Sequence, residues 1–316
     1  MLHIPTKRER IEGGIWGLVV GDALGVPWEF HAPDEIPAED ELEYEPPPGC
    51  ERAHPSVPPA TWSDDGAQAL CLLESLLDKG QLDVDDVAAR FIRWQTRGYM
   101  TPDGRTFDIG GQTADALYAI QAGKPVLEAA PGGEFSNGNG SLMRSLPLAL
   151  WHHGSAADLV ELAHLQSRIT HPHPRSQICC ALYCLWAKRE LAGEQTAWSS
   201  AVSDLRRVYR QSGQRAMSDE LDRRVEPDQP PGGKGSGYVV DCLHSARLAC
   251  KMGDTFEQVV RYAIRLGKDT DTTACVAGGI AGVRFGVRGI PERWRNSLRG
   301  QYLLRPLVAG LVKRVG

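Results

Sequence analysis

Asp269, Asp271 and Thr272 fall within one stretch, RLGKDTDTTACVAGGIAG (Arg265 to Gly282), just ahead of a run of small apolar residues. Two carboxylates that close repel each other unless one is protonated, both are solvated, or a cation bridges them. A second stretch, TWSDDGAQALCLLESLL, sets Ser63, Asp64 and Asp65 at the start of an amphipathic segment. Taken alone, each cluster is explained by helix capping, because Ser or Asp at a helix start accepts free backbone N–H groups and first-turn carboxylates complement the helix dipole. Taken together, they offer four carboxylates with Ser and Thr hydroxyls, and neither cluster contains histidine or cysteine. That hard donor set suits Mg²⁺, Mn²⁺ or Ca²⁺ better than Zn²⁺. Two such ions side by side in one cleft would account for the crowding.

Three further stretches bear on the same chemistry. GLVVGDALGVPWEF carries Gly21, Asp22, Gly25 and Glu29; NGNGSLMRSLPLAL carries Asn137, Gly138, Asn139, Gly140 and Ser141; ITHPHPRS carries Thr170 and His171. A glycine-rich loop that runs into an apolar helix presents unpaired N–H groups to an anion, although the same pattern also makes an ordinary turn. By themselves, His171 reads as a structural residue beside proline and Glu29 as a surface carboxylate.

The elements that must position these residues are helical. DGAQALCLLESLLDKG, DVDDVAARFIRWQTRG, TADALYAIQAG, AADLVELAHLQSRI, SQICCALYCLWAKRELAG, YVVDCLHSARLACKMG and FEQVVRYAIRLG repeat their apolar residues at three and four, and several end at glycine. No sustained alternation of β-branched residues occurs, so the spacing predicts an all-α fold over residues 1–316 as a single domain. Two irregular segments interrupt it: Glu29 to Trp62, long enough to predict a lid-like binding loop, and 223–237, predicted to be a surface loop.

Composition narrows the function classes. The chain of 316 residues is 42% hydrophobic and 24% charged, an ordinary globular balance, and its formal net charge of -5 predicts neither nucleic-acid nor membrane partners. Basic residues precede an apolar stretch at the N-terminus, but Asp22 and several glycines break it short of secretory or membrane-spanning length, which predicts a cytoplasmic protein. The eight cysteines show no paired CxxC pattern and read as buried thiols. His171, His173, Cys180 and Cys184 do not have the spacing of a standard zinc set.

In order and wording, GDALGVPWE, SDDGAQA, FDIGGQT (Phe107 to Thr113), GNGSLMRSLPL, Thr170–His171, SGYVVDCLHSA (Ser236 to Ala246) and GKDTDTTACVAGGIAG resemble the ADP-ribosylglycohydrolase family of the dinitrogenase reductase-activating type. The resemblance implies a largely orthogonal bundle of helices around a cleft with two Mg²⁺ or Mn²⁺ ions. It implies Ser63, Asp64, Asp65, Asp269, Asp271 and Thr272 as metal ligands, Gly138, Asn139, Gly140 and Ser141 as the loop holding the ADP-ribose phosphates, and His171 as a residue lining the ADP-ribose site. Glu29 matches a family glutamate that serves in coordination, gating or base catalysis. Cleavage at the anomeric carbon of the distal ribose passes through an oxocarbenium-like state, with Glu29, Asp64, Asp65 or Asp269 activating the attacking water.

Two positions depart from the family pattern. Ser63 stands where threonine is usual and keeps the hydroxyl; Lys268 stands where many members have glycine, with its amine predicted to face solvent. A turn requiring positive φ there would disfavour lysine. The substrate implied is ADP-ribose on a protein arginine. Alternatives are a serine-linked or small-molecule ADP-ribose conjugate, an immunity protein that neutralises an ADP-ribosylating toxin, or a dinuclear phosphodiesterase cutting the pyrophosphate. The oligomeric state is open.

Overall fold

A computed structural model describes residues 3–315. In chain order the helices are α1 (Lys7–Gly25), α2 (Asp64–Lys79), α3 (Val84–Arg97), α4 (Gly111–Gln121), α5 (Val126–Ala129), α6 (Leu146–Trp151), α7 (Ala156–Arg168), α8 (Pro174–Leu191), α9 (Ala197–Gln211), α10 (Arg215–Glu220), α11 (Val239–Met252), α12 (Phe256–Arg265), α13 (Thr270–Phe285), α14 (Glu292–Ser297) and α15 (Gln301–Val315). Among the described residues there is no strand; one isolated antiparallel bridge pairs Gly138 with Tyr238. The predicted all-α class is what the chain adopts. No helix among the described residues is long and apolar enough to cross a membrane.

Two helices form the axis of the structure. Nearly every residue of α1 from Ile11 onward is buried, and so is α13 from Thr270 to Val283. Helices apolar on all sides belong inside a protein, and these two lie against each other along most of their length. The contact is built from Gly13, Gly17, Gly21 and Gly25, one per turn of α1. A Cβ at any of the four would come within 3.0 Å of the α13 backbone, and a Cβ at Gly278 or Gly282 would meet α1 in the same way. The two backbones therefore touch with no side chain between them. This approach brings the C-terminal end of α1, with Asp22, against the first turn of α13, with Asp271.

The remaining core helices surround this pair. α2, α6, α8 and α15 pack on α1, and α8, α11 and α12 pack on α13. α2 begins at the cap Ser63 and stops at Gly80, whose φ of 69° ends the helix in the left-handed conformation. The amphipathic segments singled out from sequence correspond to α2, α3, α4, α7, α8, α11 and α12. All eight cysteines are free thiols, seven of them buried.

Both irregular segments are more tightly held than their composition predicts. The Glu29–Trp62 loop buries Ile36, Leu42, Tyr44, Val57, Ala60 and Trp62. Glu43 in its middle accepts from Arg261 at 2.9 Å and from Trp294 Nε1 at 2.5 Å, and Tyr44 donates to the Trp294 carbonyl at 3.2 Å. The centre of the predicted lid is thus tied to α12 and α14, and its two ends approach the cleft. The 223–237 segment overlaps a π-helical turn (Leu221–Val225), and near its end Asp269 N donates to Gly235 O at 2.9 Å and Asn139 N to Gly237 O at 3.1 Å. Most of the segment is exposed or half-exposed, and its last residues are hydrogen-bonded to the two stretches that carry Asn139 and Asp269.

Candidate active site

Three helix ends converge. Asp22 on α1 is fully buried, and its carboxylate accepts Ser63 N at 2.9 Å and Gly66 N at 2.7 Å. It therefore caps α2 from outside, while Ser63 Oγ accepts from Asp65 N within the helix. Asp64 and Asp65 are held in the first turn by both. On the other side Thr270 Oγ1 donates to Gly25 O at 2.8 Å, which ties the start of α13 to the end of α1. Thr272 Oγ1 reaches Asp65 Oδ2 at 3.4 Å, so the two predicted ligand clusters meet.

The turn before α13 explains the odd lysine. Lys268 has φ 65°, directly after Gly267 at 73°. The residue is exposed, and its backbone clasps the segment after Glu29: Phe30 N donates to Lys268 O at 2.5 Å and Lys268 N to His31 O at 2.7 Å. The positive φ that disfavours lysine is present, and the amine lies on the solvent side as predicted.

The electrostatics are those of crowded acids in a dry site. Oxygens of Asp22, Asp65 and Asp271 lie within 4.8 Å of one another, and all three residues are buried. Burial pushes Asp22 up to about 7. Burial, reinforced by mutual repulsion, holds Asp64, Asp65 and Asp271 well above the usual carboxylate range. Asp65 Oδ1 and Asp271 Oδ2 are buried with no hydrogen-bond partner. Unpaired carboxylate oxygens in a water-poor interior are costly, and a hard divalent cation satisfies them without further protein donors. The residues present therefore fit an oxygen-coordinated cation.

A second acidic group stands beside the first. Glu29, His54 and Asp108 also place ligand atoms within 4.8 Å of one another. Glu29 Oε2 pairs with His54 Nε2 at 2.6 Å, and the His54 ring in turn packs, tilted, against Phe30 and Phe107. Burial raises Glu29 to about 7 against the opposing pull of His54. Asp108, at φ 53°, is likewise raised, chiefly by burial.

The glycine loop forms the opposite wall. Asn137 O accepts from Val239 N at 3.0 Å, and Asn139 Nδ2 donates to Asp269 Oδ2 at 2.9 Å, so the loop is pinned to the acidic cluster. It does not enter a helix directly, as its sequence predicts. Residues 140–144 form tight turns, and α6 starts only at Leu146, with Pro147 in its first turn. Ser141 is buried, and its hydroxyl contacts Ser167 Oγ at 2.9 Å, beneath the loop. Gly138, Asn139 and Gly140 line the cleft, and the His171 ring lies against both glycines.

A cavity of about 210 Å³ joins the two walls, lined among others by Glu29, Asp64, Asp108, Asn139, His171 and Asp269. Of the residues named from sequence, Glu29, Asp64, Asp269, Thr272, Gly138, Asn139, Gly140 and His171 face this cavity; Ser63, Asp65 and Asp271 lie behind it in the acidic cluster, and Ser141 lies under the loop. Sequence reasoning assigned no role to Asp22, His54 or Asp108. Asp22 interrupts an apolar helix and Asp108 sits in FDIGGQT, two signals that were available; His54 has none, because a loop contact carries no periodicity.

The comparisons agree with this architecture. A family model described as ADP-ribosylglycohydrolase matches residues 3–316. The chain is 30% identical over 294 residues to the ADP-ribosyl-[dinitrogen reductase] glycohydrolase of Rhodospirillum rubrum, covering 93% of this chain and 92% of that one. It is 29% identical over 302 residues to the ADP-ribosylarginine hydrolase Tri1 of Serratia proteamaculans, covering 92% and 75%. A solved structure titled ADP-ribosylglycohydrolase-related protein complex superposes with a TM-score of 0.74 at 29% identity, over 98% of this chain and 99% of that one. With the family model spanning almost every residue and the fold matching from end to end, the chain belongs to the ADP-ribosylglycohydrolase family and is an ADP-ribosyl glycohydrolase.

Proposed function

We propose that the chain, working as one domain over residues 1–316 in the cytoplasm, is a divalent-metal-dependent hydrolase that releases ADP-ribose from modified arginine on a protein. One observation carries this reading: a single cavity joins an acidic, donor-poor cluster to a glycine loop and a histidine. The first wall suits cations and the second suits a diphosphate. Arginine as the acceptor is supported by likeness to the ADP-ribosylarginine hydrolase of Serratia proteamaculans, and a protein acceptor by likeness to the Rhodospirillum rubrum enzyme, both associational warrants.

Ser63, Asp64, Asp65, Asp269, Asp271 and Thr272 would hold two Mg²⁺ or Mn²⁺ ions. Asp22 uses its oxygens on Ser63 N and Gly66 N, so its part is to orient α2. Bound there, the cations would supply Lewis-acid polarisation and grip the hydroxyls of the distal ribose. The chain's own residues do the rest. Glu29, near 7 and facing the cavity, is poised to take a proton from water or return one to the leaving group, and His54 fixes its rotamer. Asp64 and Asp269, also facing the cavity, stabilise positive charge developing at the anomeric carbon. Asp65 is wholly buried and serves as a ligand only.

The test is mass spectrometry of products from arginine- and serine-linked ADP-ribosylated peptides, with Mg²⁺ or Mn²⁺ and then with chelator. Cation-dependent release of free ADP-ribose from the arginine peptide is the expected outcome. Release from the serine peptide alone would move the acceptor. AMP instead of ADP-ribose would make the enzyme a pyrophosphate hydrolase, and chelator-insensitive release would remove the metals.

A further inference from the structure

Arg144 is fully buried beneath the glycine loop, and among the described residues it has no carboxylate partner. A buried cation without an ion pair persists only if every N–H is satisfied. Here all five donors find acceptors. Nε donates to Gln166 Oε1 at 3.1 Å, Nη1 to Gln68 Oε1 at 2.8 Å and to Gly140 O at 3.1 Å, and Nη2 to Gln166 O at 3.1 Å and to Thr170 Oγ1 at 2.8 Å. The guanidinium also lies over the Phe91 ring, 4.7 Å from its centroid. Burial draws it down to about 10, which leaves it charged at neutral pH.

Hydrogen-bond accounting from this fixed donor determines a proton position that coordinates alone leave open. Thr170 Oγ1 accepts from Arg144 and lies 2.8 Å from His171 Nδ1. Thr170 is fully buried, and its hydroxyl hydrogen has no other acceptor there. The hydroxyl must therefore donate to Nδ1, which makes Nδ1 an acceptor and places the ring hydrogen on Nε2. Nε2 stands at the cavity wall, 3.3 and 3.4 Å from where a Cβ on Gly138 and on Gly140 would be. The same guanidinium turns Gln68 so that its Nε2 donates to Asp64 Oδ2 at 3.0 Å, on the acidic wall.

We propose that Arg144 and Thr170 are positioning residues that fix His171 as an Nε2–H donor aimed at a phosphate oxygen of the substrate. The protein thus recognises a diphosphate through a neutral imidazole whose tautomer is imposed by a buried permanent charge two hydrogen bonds away. Burial and the nearby Arg144 charge hold His171 at about 3, so an imidazolium is not the species that binds. The ligand's identity rests on the proposed function; the relay does not.

The test is ¹⁵N NMR of histidine-labelled protein, with the His171 signals assigned by their loss in His171→Asn. The wild-type spectrum decides without any other variant: a neutral ring protonated on Nε2 is expected, and an Nδ1–H tautomer or an imidazolium at pH 7 would overturn the proposal. Thr170→Val removes the relay while nearly keeping its shape. It should mix the tautomers and weaken ADP-ribose binding about tenfold to a hundredfold, with Mn²⁺ affinity unchanged, and Thr170→Ser should restore both readouts. An unchanged tautomer and affinity in Thr170→Val would also refute it. The expected tautomer in a protein that binds no ADP-ribose would leave the relay standing and sink the substrate reading instead.

Discussion

Gly25→Ala sets two well-understood effects against each other. Gly25 has ordinary helical dihedrals, φ -77° and ψ -34°, so backbone preference favours alanine by up to about 1 kcal/mol. Packing says the opposite. A Cβ there would lie 2.4 Å from Asp271 Cα and 2.5 Å from Asp271 N and from Thr270 O, where ordinary contact begins at 3.4 Å, so α1 and α13 must part by about 1 Å at that point. Forcing a methyl into such a contact costs about 1–3 kcal/mol. These neighbours are backbone atoms of α13, which cannot rotate away as a side chain would. The net expectation is a loss of about 1–2 kcal/mol, a fall in Tm of roughly 1.5–3 °C for a chain of this size. The displaced atoms belong to Asp271, so the acidic cluster opens as the helices separate. Binding of Mn²⁺, followed by calorimetry, should weaken about tenfold or more. A Gly25→Ala protein as stable as wild type, with the same Mn²⁺ affinity, would show that the glycine contacts do not set the spacing of the site.

Two further outcomes follow from single residues. Lys268→Gly relieves a φ of 65° at an exposed position and should raise stability by about 0.5–1 kcal/mol after glycine's greater freedom in the unfolded chain is counted; an unchanged or lower Tm would mean that the lysine turn is not strained. His164, buried against Tyr209, is lowered from 6.5 to about 4 by burial, so the unfolded chain binds the extra proton first. Its contribution, up to about 3 kcal/mol, is complete above pH 6.5 and is lost as pH falls toward 4, so urea titrations of His164→Gln across that window should show a shallower decline than wild type.

The fold class and both acidic clusters were legible because their signals are local. Amphipathic period marks α2, α3 and α12, and a run of Ser, Asp and Thr before an apolar segment marks a helix start. α1 was not legible as a helix in the same way, because its face toward α13 is glycine and its other faces are apolar, which erases the period. That concealed Asp22, whose function depends on a partner 41 residues away. The His54–Glu29 pair and the Arg144–Thr170–His171 relay are likewise tertiary facts. Thr170 and His171 are adjacent in the chain, but the direction of the hydrogen bond between them is decided by an arginine 26 residues before Thr170.

The acidic cluster has no salt bridge to Arg or Lys among the described residues, and this bears on how its carboxylates coexist. None of Asp22, Asp64, Asp65, Asp108, Asp269 and Asp271 is paired with an Arg or Lys among the described residues, and Glu29 is paired only with His54. An arginine fork would neutralise these carboxylates well, but it would also occupy the oxygens that a metal needs. What faces them instead are neutral donors: N–H groups at the start of α2, the Asn139 and Gln68 amides, and the Ser63 hydroxyl. These hold the rotamers without filling the acidic centre, and raised pKa values let the apo cluster share protons rather than repel. The permanent charge is kept one residue further out, at Arg144, which reaches Asp64 by hydrogen bonds through Gln68 and by its field, without occupying a carboxylate oxygen. In such a site the carboxylates can hold protons while it is empty, and a cation that took their place would displace those protons. The separation of charge from ligand, more than the number of carboxylates, distinguishes a metal cleft from a cluster of helix caps.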